Sequence, residues 1–218
     1  RVSHINNQPD KSFYRATWQG TVLGEVTLAI PGLHNVLNSA GALAAALVLN
    51  ASAALAIAQI GNFTGVGRRF ELRGSAKGIQ VFDDYAHHPT EVLATLDTAR
   101  LVAASKGGKV IVIFQPHRYS RTAAFSEGFA QALKNADYAL LLDIYGAGEE
   151  PMPGASSAAI TAKINQLGGK SDFEPNLMQA IELARNFAEP NDLILTMGAG
   201  DVTSLAPQIL AAINEYKI

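Results

Sequence analysis

From residue 79 onward, short apolar runs alternate with segments long enough to be helices. The runs cover 79–82, 109–114, 138–142 and 193–197. The segments 89–104, 121–135, 158–167 and 177–188 separate them, and 202–213 reads as a closing helix. Side chains along a strand point alternately to opposite faces, so a run apolar at successive positions must be covered on both faces. Such strands joined by helices predict a parallel sheet wound through right-handed crossovers. A weak edge strand is expected near Asp172 and Phe173. The expected fold class is therefore α/β: a Rossmann-like, mostly parallel sheet with helices on both faces. Ligands on such sheets bind beyond the carboxyl ends of the strands.

The amino-terminal third follows another pattern. Residues 12–30 alternate loosely, with Gly20 and Gly24 as punctuation, and predict two antiparallel strands ended by Pro31-Gly32. A helical stretch starts near His34, breaks at Asn50-Ala51-Ser52 and resumes to about Ile60. Residues 35–67 carry no charge, but they include Asn35, Asn38, Asn50, Gln59 and Asn62, and their apolar part is mostly Ala. A spanning helix needs about 20 strongly apolar residues, so packed helices are expected and membrane insertion is not. The glycine-bearing stretch Gly74-Ser75-Ala76-Lys77-Gly78 reads as a junction, dividing the chain into 1–74 and 75–218. A net charge of −2 gives no electrostatic footprint for nucleic acid. The absence of cysteine excludes disulfides and thiolate metal sites and suits a cytoplasmic location.

The strand-end rule sorts the polar motifs. Asp83-Asp84-Tyr85-Ala86-His87-His88 follows the first run, and Gln115-Pro116-His117-Arg118-Tyr119-Ser120-Arg121 the second. Asp143-Ile144-Tyr145-Gly146-Ala147-Gly148-Glu149 follows the third, and Gly198-Ala199-Gly200-Asp201 the last. All four are expected on one edge of the sheet. Adjacent carboxylates, imidazoles and a phenol suit an active-site rim better than a core. Helix capping by His88 or Thr90, with Pro89 in the first turn, explains only part of that cluster. A shared metal ion is disfavoured because Asp83 and Asp84, being adjacent in an extended segment, point to opposite sides. Arg118 and Arg121, three apart at a helix start, can grip a carboxylate or phosphate with planar forks; two solvated surface arginines are the plainer reading. Gly198-Ala199-Gly200 lacks the third glycine of a dinucleotide fingerprint, so a tight turn capped by Asp201 explains it as well. His34 and Asn38, four apart, share a helix face and could read a base, whereas Asn35 could simply cap the turn. Arg68-Arg69 is surface charge or a phosphate clamp.

In this order, four strings resemble motifs of the Mur ligases, the ATP-dependent amide-forming enzymes of peptidoglycan precursor synthesis. They are Pro31-Gly32-Leu33-His34-Asn35-Val36-Leu37-Asn38, Gly65-Val66-Gly67-Arg68-Arg69-Phe70-Glu71, the stretch from Asp83 to Glu91, and the stretch from Phe114 to Thr122. The last two are the most specific and are similar to the member that joins L-alanine to UDP-N-acetylmuramate. The resemblance implies that residues 1–74 are the tail of an α/β ATP-binding domain and 75–218 an amino-acid-binding ligase domain. It implies adenine contacts from His34 and Asn38 supported by Asn35, and phosphate contacts from Arg69. Asp84 would reach the ribose or order the hinge. Tyr85, His87, Arg118 and Arg121 would surround the amino acid and the acyl group. His87 and Arg69 are the implied catalytic residues, His87 either deprotonating the amine or only binding it. ATP and Mg2+ are the implied cofactors. The magnesium ligands are expected mainly upstream, with none in this chain, because the family's phosphate loop and sugar-nucleotide domain do not occur here. The chain alone is therefore expected not to use ATP. Two readings from other classes stand beside this one: a metal-dependent phosphoesterase built on the Asp/His cluster, and a non-catalytic nucleotide-binding module.

Overall fold

The computed structural model describes residues 1–215. The chain forms two compact units, Arg1–Val66 and Gly67–Ile218.

In the first unit, β1 (Val2–Asn7), β2 (Ser12–Trp18) and β3 (Thr21–Leu28) form an antiparallel sheet in the order β1-β2-β3. Two helices follow, α1 (Leu33–Val48) and α2 (Ala53–Gly61). Alternation along β2 and β3 puts Tyr14, Ala16, Val26 and Leu28 on one face, where they pack with Val36 and Leu43 of α1. The break between the helices falls at Asn50, whose φ of 62° stops α1. The two predicted strands are β2 and β3. β1 was not anticipated.

The second unit holds a six-stranded sheet, β4 (Glu71–Ala76), β5 (Ile79–Asp84), β6 (Val110–Phe114), β7 (Tyr138–Leu141), β8 (Ser171–Phe173) and β9 (Leu193–Met197). Its order is β4-β5-β9-β6-β7-β8. All neighbours are parallel except β4, which pairs antiparallel with β5 and has an irregular register between Leu72 and Gly74. The helices are α3 (Pro89–Ala104), α4 (Tyr119–Leu133), α5 (Ser157–Gln166), α6 (Leu177–Phe187) and α7 (Leu205–Glu215), with a 3₁₀ turn at Asp201–Ser204.

Period-two geometry explains why the central strands are apolar at most positions. Val110, Val112 and Phe114 face one layer, with Leu96 of α3, Phe129 and Leu133 of α4 and Ile160 of α5. Ile111 and Ile113 face the other, with Ile181 of α6 and Ile209 of α7. The register aligns Asp84, Met197, Phe114 and Leu141 in one row across four neighbouring parallel strands. The loops leaving that row emerge on the same edge.

The stretch 74–78 is not a junction. Lys77 and Gly78, with φ of 48° and 82°, turn the β4–β5 hairpin, and Ala76 pairs with Ile79. The compact unit therefore starts at Gly67, upstream of the expected boundary at 74, because β4 needs β5 to satisfy its backbone.

Candidate active site

Asp83 and Asp84 close β5, and both are buried, at 0% and 3% exposure. This corrects the expectation that adjacent carboxylates mark a rim. Asp83 accepts from the Thr196 and Thr203 hydroxyls, each at 2.7 Å, and from Arg68 Nε at 3.2 Å. Asp84 accepts from the backbone N–H of Phe70 and of Ala86, each at 2.7 Å. Burial pushes the Asp84 carboxyl up from its ordinary range, and those two N–H donors and Arg69 pull against it. Asp84 thus ties the start of the unit to the turn after β5.

The side chains beyond that turn reach outward. The Tyr85 ring lies beneath the Arg68 and Arg69 guanidinium carbons, at 4.8 and 5.6 Å, and meets the His87 ring edge-on at 5.3 Å. His87 Nδ1 is 3.0 Å from the Tyr85 carbonyl, which can only accept, so Nδ1 carries the proton. In the neutral ring, Nε2 then keeps its lone pair. His88 takes the plainer role: its Nδ1 accepts from the Thr90 amide, and Glu91 completes a capping box at the start of α3.

The loop after β6 supplies the complement. The His117 ring centroid is 6.1 Å from that of His87. His117 Nδ1 is 3.3 Å from Arg121 Nη1, which can only donate, so the neutral ring has its proton on Nε2. Burial, then the charges of Arg121, His87 and Arg118, lower the His117 pKa and keep the ring neutral near neutral pH. The two imidazoles therefore present opposite functions at Nε2, a lone pair on His87 and a donor on His117.

The loop after β7 brings Tyr145 flat against His117, with ring centroids 5.5 Å apart and planes 17° apart. It also brings Glu149 to Ser120 and to within 3.7 Å of Arg118. The Ser120 donors hold the Glu149 carboxyl below its ordinary range.

The fourth loop is absorbed structurally. The Gly198 and Gly200 carbonyls accept from Arg68 at 2.7 and 3.4 Å, and Asp201 accepts from Gln115 at 2.7 Å. A Cβ on Gly198 would stand 2.6 Å from the Gln115 carbonyl. Close approach, not phosphate binding, accounts for these glycines.

The structure thus brings Tyr85, His87, Arg118 and Arg121 to one sheet edge, with Arg69 over Tyr85. His34, Asn35 and Asn38 lie in the first unit. There Asn35 Nδ2 donates to the Pro31 carbonyl at 2.7 Å, closing the turn that opens α1. Tyr145 and Glu149 were not among the expected site residues, although their position after the third apolar run was the available signal. Among the described residues, no three His, Asp or Glu side chains are grouped to hold a metal ion, and no helix is long and apolar enough to cross a membrane.

Residues 68–200 match the family model described as Mur ligase, glutamate ligase domain. The chain belongs to the Mur ligase family.

Among curated relatives, the UDP-N-acetylmuramate–L-alanine ligase of Thermobifida fusca is 46% identical over 194 residues, covering 86% of this chain and 41% of that protein. The enzyme of the same name from Acidothermus cellulolyticus is 45% identical over 204 residues, covering 93% and 42%. The crystal structure of the UDP-N-acetylmuramate–alanine ligase of Thermotoga maritima superposes with a TM-score of 0.80 at 28% identity, over 99% of this chain and 46% of that one. This Mur ligase chain therefore spans about two fifths of the length of the curated relatives it matches.

Proposed function

We propose that this chain forms the carboxyl-terminal part of a cytoplasmic, ATP-dependent ligase that joins L-alanine to UDP-N-acetylmuramate through an acyl phosphate. The observation that carries this reading is the meeting of His87, His117, Arg118 and Arg121 at one sheet edge. An amino acid brings a carboxylate and an ammonium group. Guanidinium forks suit the carboxylate, and the amine must lose a proton before it can attack. The His87 Nε2 lone pair is placed to take that proton, and the neutral His117 Nε2–H is suited to hold the acyl oxygen as charge builds there.

Arg69, with a side chain 49% exposed, fits a role in binding the ATP phosphates. His34 and Asn38 of the first unit are the candidate adenine contacts. Asp84 is engaged with Phe70 and Ala86, which favours its ordering role over ribose contact. Mg2+ keeps several waters and binds through one or two carboxylates together with substrate phosphates, and its ligands are expected mainly upstream of this chain.

The test is amino-acid-dependent phosphate release by the full-length protein that carries this chain, supplied with ATP, Mg2+, UDP-N-acetylmuramate and L-alanine. Turnover is expected from the full-length protein and none from the 218-residue chain. A full-length protein that never depends on an amino acid, or a chain that turns over ATP alone, would overturn the proposal.

A further inference from the structure

Glu149 sits on the loop leaving β7, yet its carboxylate ends at the first turn of α4. Oε2 accepts from the Ser120 amide at 2.9 Å and Oε1 from the Ser120 hydroxyl at 2.7 Å, while Oε1 stands 3.7 Å from Arg118 Nη1. The same two loops are joined by backbone bonds. The Arg118 N–H donates to the Tyr145 carbonyl and the Tyr145 N–H to the Pro116 carbonyl, each at 2.8 Å. Arg118 itself has φ 70°, a conformation that residues with a Cβ rarely adopt and that its surroundings must hold. Its side chain is 51% exposed and that of Glu149 only 27%, so the carboxylate is the anchored end and the guanidinium the reaching end.

We propose that Glu149 is a positioning residue of the amino-acid subsite, fixing the first turn of α4 and aiming the Arg118 guanidinium, beside Arg121, at the substrate carboxylate. The inference rests on the ligase reading above and deepens it. Glu149 also occupies the Ser120 amide at the helix start, where an anion would otherwise be drawn. The substrate carboxylate is thereby left to the guanidinium groups, which offer a directional fork.

The test compares Glu149→Ala and Glu149→Gln in the full-length protein, reading kcat and KM for L-alanine and for ATP, and hydrogen exchange of the peptide containing Ser120. Glu149→Ala is expected to raise the alanine KM about tenfold, the scale of one misaligned charge-assisted contact. Its kcat and ATP KM should stay within about threefold of wild type, as for loss of a uniform binding contact. Glu149→Gln keeps an acceptor for the Ser120 amide and should restore most of the alanine affinity. Ser120 exchange should rise in the alanine variant and not in the glutamine one. An unchanged alanine KM in Glu149→Ala would overturn the proposal, as would alanine and ATP KM values rising together. Should the wild type show no alanine dependence, the ligase reading falls. The Ser120 exchange then decides the bracing role: unchanged exchange in Glu149→Ala overturns it, and faster exchange supports it.

Discussion

Replacing Arg68 with methionine takes away the cationic partner, among the described residues, of a carboxylate that has no exposure to water. Asp83 is 0% exposed and would keep only the Thr196 and Thr203 hydroxyls, while the Gly198 carbonyl would lose the guanidinium bond it accepts at 2.7 Å. Removing one partner from a buried ion pair costs about 3–5 kcal/mol. The Arg68 side chain is 26% exposed, so water can partly replace it and the low end applies, about 3 kcal/mol. Arg69, next in the chain, is 49% exposed and stands 4.0 Å from Glu91, a surface contact worth about 0–1 kcal/mol. At about 2–4 °C per kcal/mol for a unit of this size, Arg68→Met should lower Tm by roughly 6–12 °C and Arg69→Met by little. Thermal and urea unfolding followed by circular dichroism would measure both. A double-mutant cycle with Asp83→Asn should show coupling of about 1–3 kcal/mol. Equal Tm values for the two arginine variants, or zero coupling in the cycle, would refute this division of labour between neighbouring residues.

Two further outcomes follow from the same edge. Gly200→Ala would set a Cβ against the Gln115 side-chain oxygen and 2.7 Å from Tyr145 Cγ, so a loss of about 1–3 kcal/mol is expected in urea unfolding; an unchanged midpoint would show that the loops yield freely. Asp84 has a folded-state pKa raised mainly by burial, so its contribution to stability is full below the carboxylate range of the unfolded chain and is lost as pH rises through the folded value. Asn does not titrate, so the stability deficit of Asp84→Asn relative to wild type should shrink from about pH 4 to about pH 8; a deficit that grows with pH would contradict the burial argument.

The central strands were legible because a run apolar at most successive positions has few other places to go. β4 and β1 were not. Glu71-Leu72-Arg73-Gly74-Ser75-Ala76 and Val2-Ser3-His4-Ile5-Asn6-Asn7 lie at sheet edges, where pairing is set by a neighbour's backbone and side chains carry little pattern. The gathering of Tyr85, His87, Arg118 and Arg121 on one edge could be read ahead, because parallel strands send their exits the same way. The burial of Asp83 could not, since its partners Thr196 and Thr203 lie more than a hundred positions away in the chain. The same holds for Glu149: nothing in Gly146-Ala147-Gly148-Glu149 announces that its carboxylate will end at Ser120.

The two rims of the large sheet are built differently from its centre. β8 is three residues long, and β4 breaks its register at Leu72–Gly74 and carries the Arg73–Glu71 pair at 3.5 Å. Neither rim gives a neighbouring molecule a long, straight row of open amides on which to lay a strand. Crowded copies of this unit consequently lack a template for ribbon growth, and its largely apolar centre need not make the unit prone to fibres.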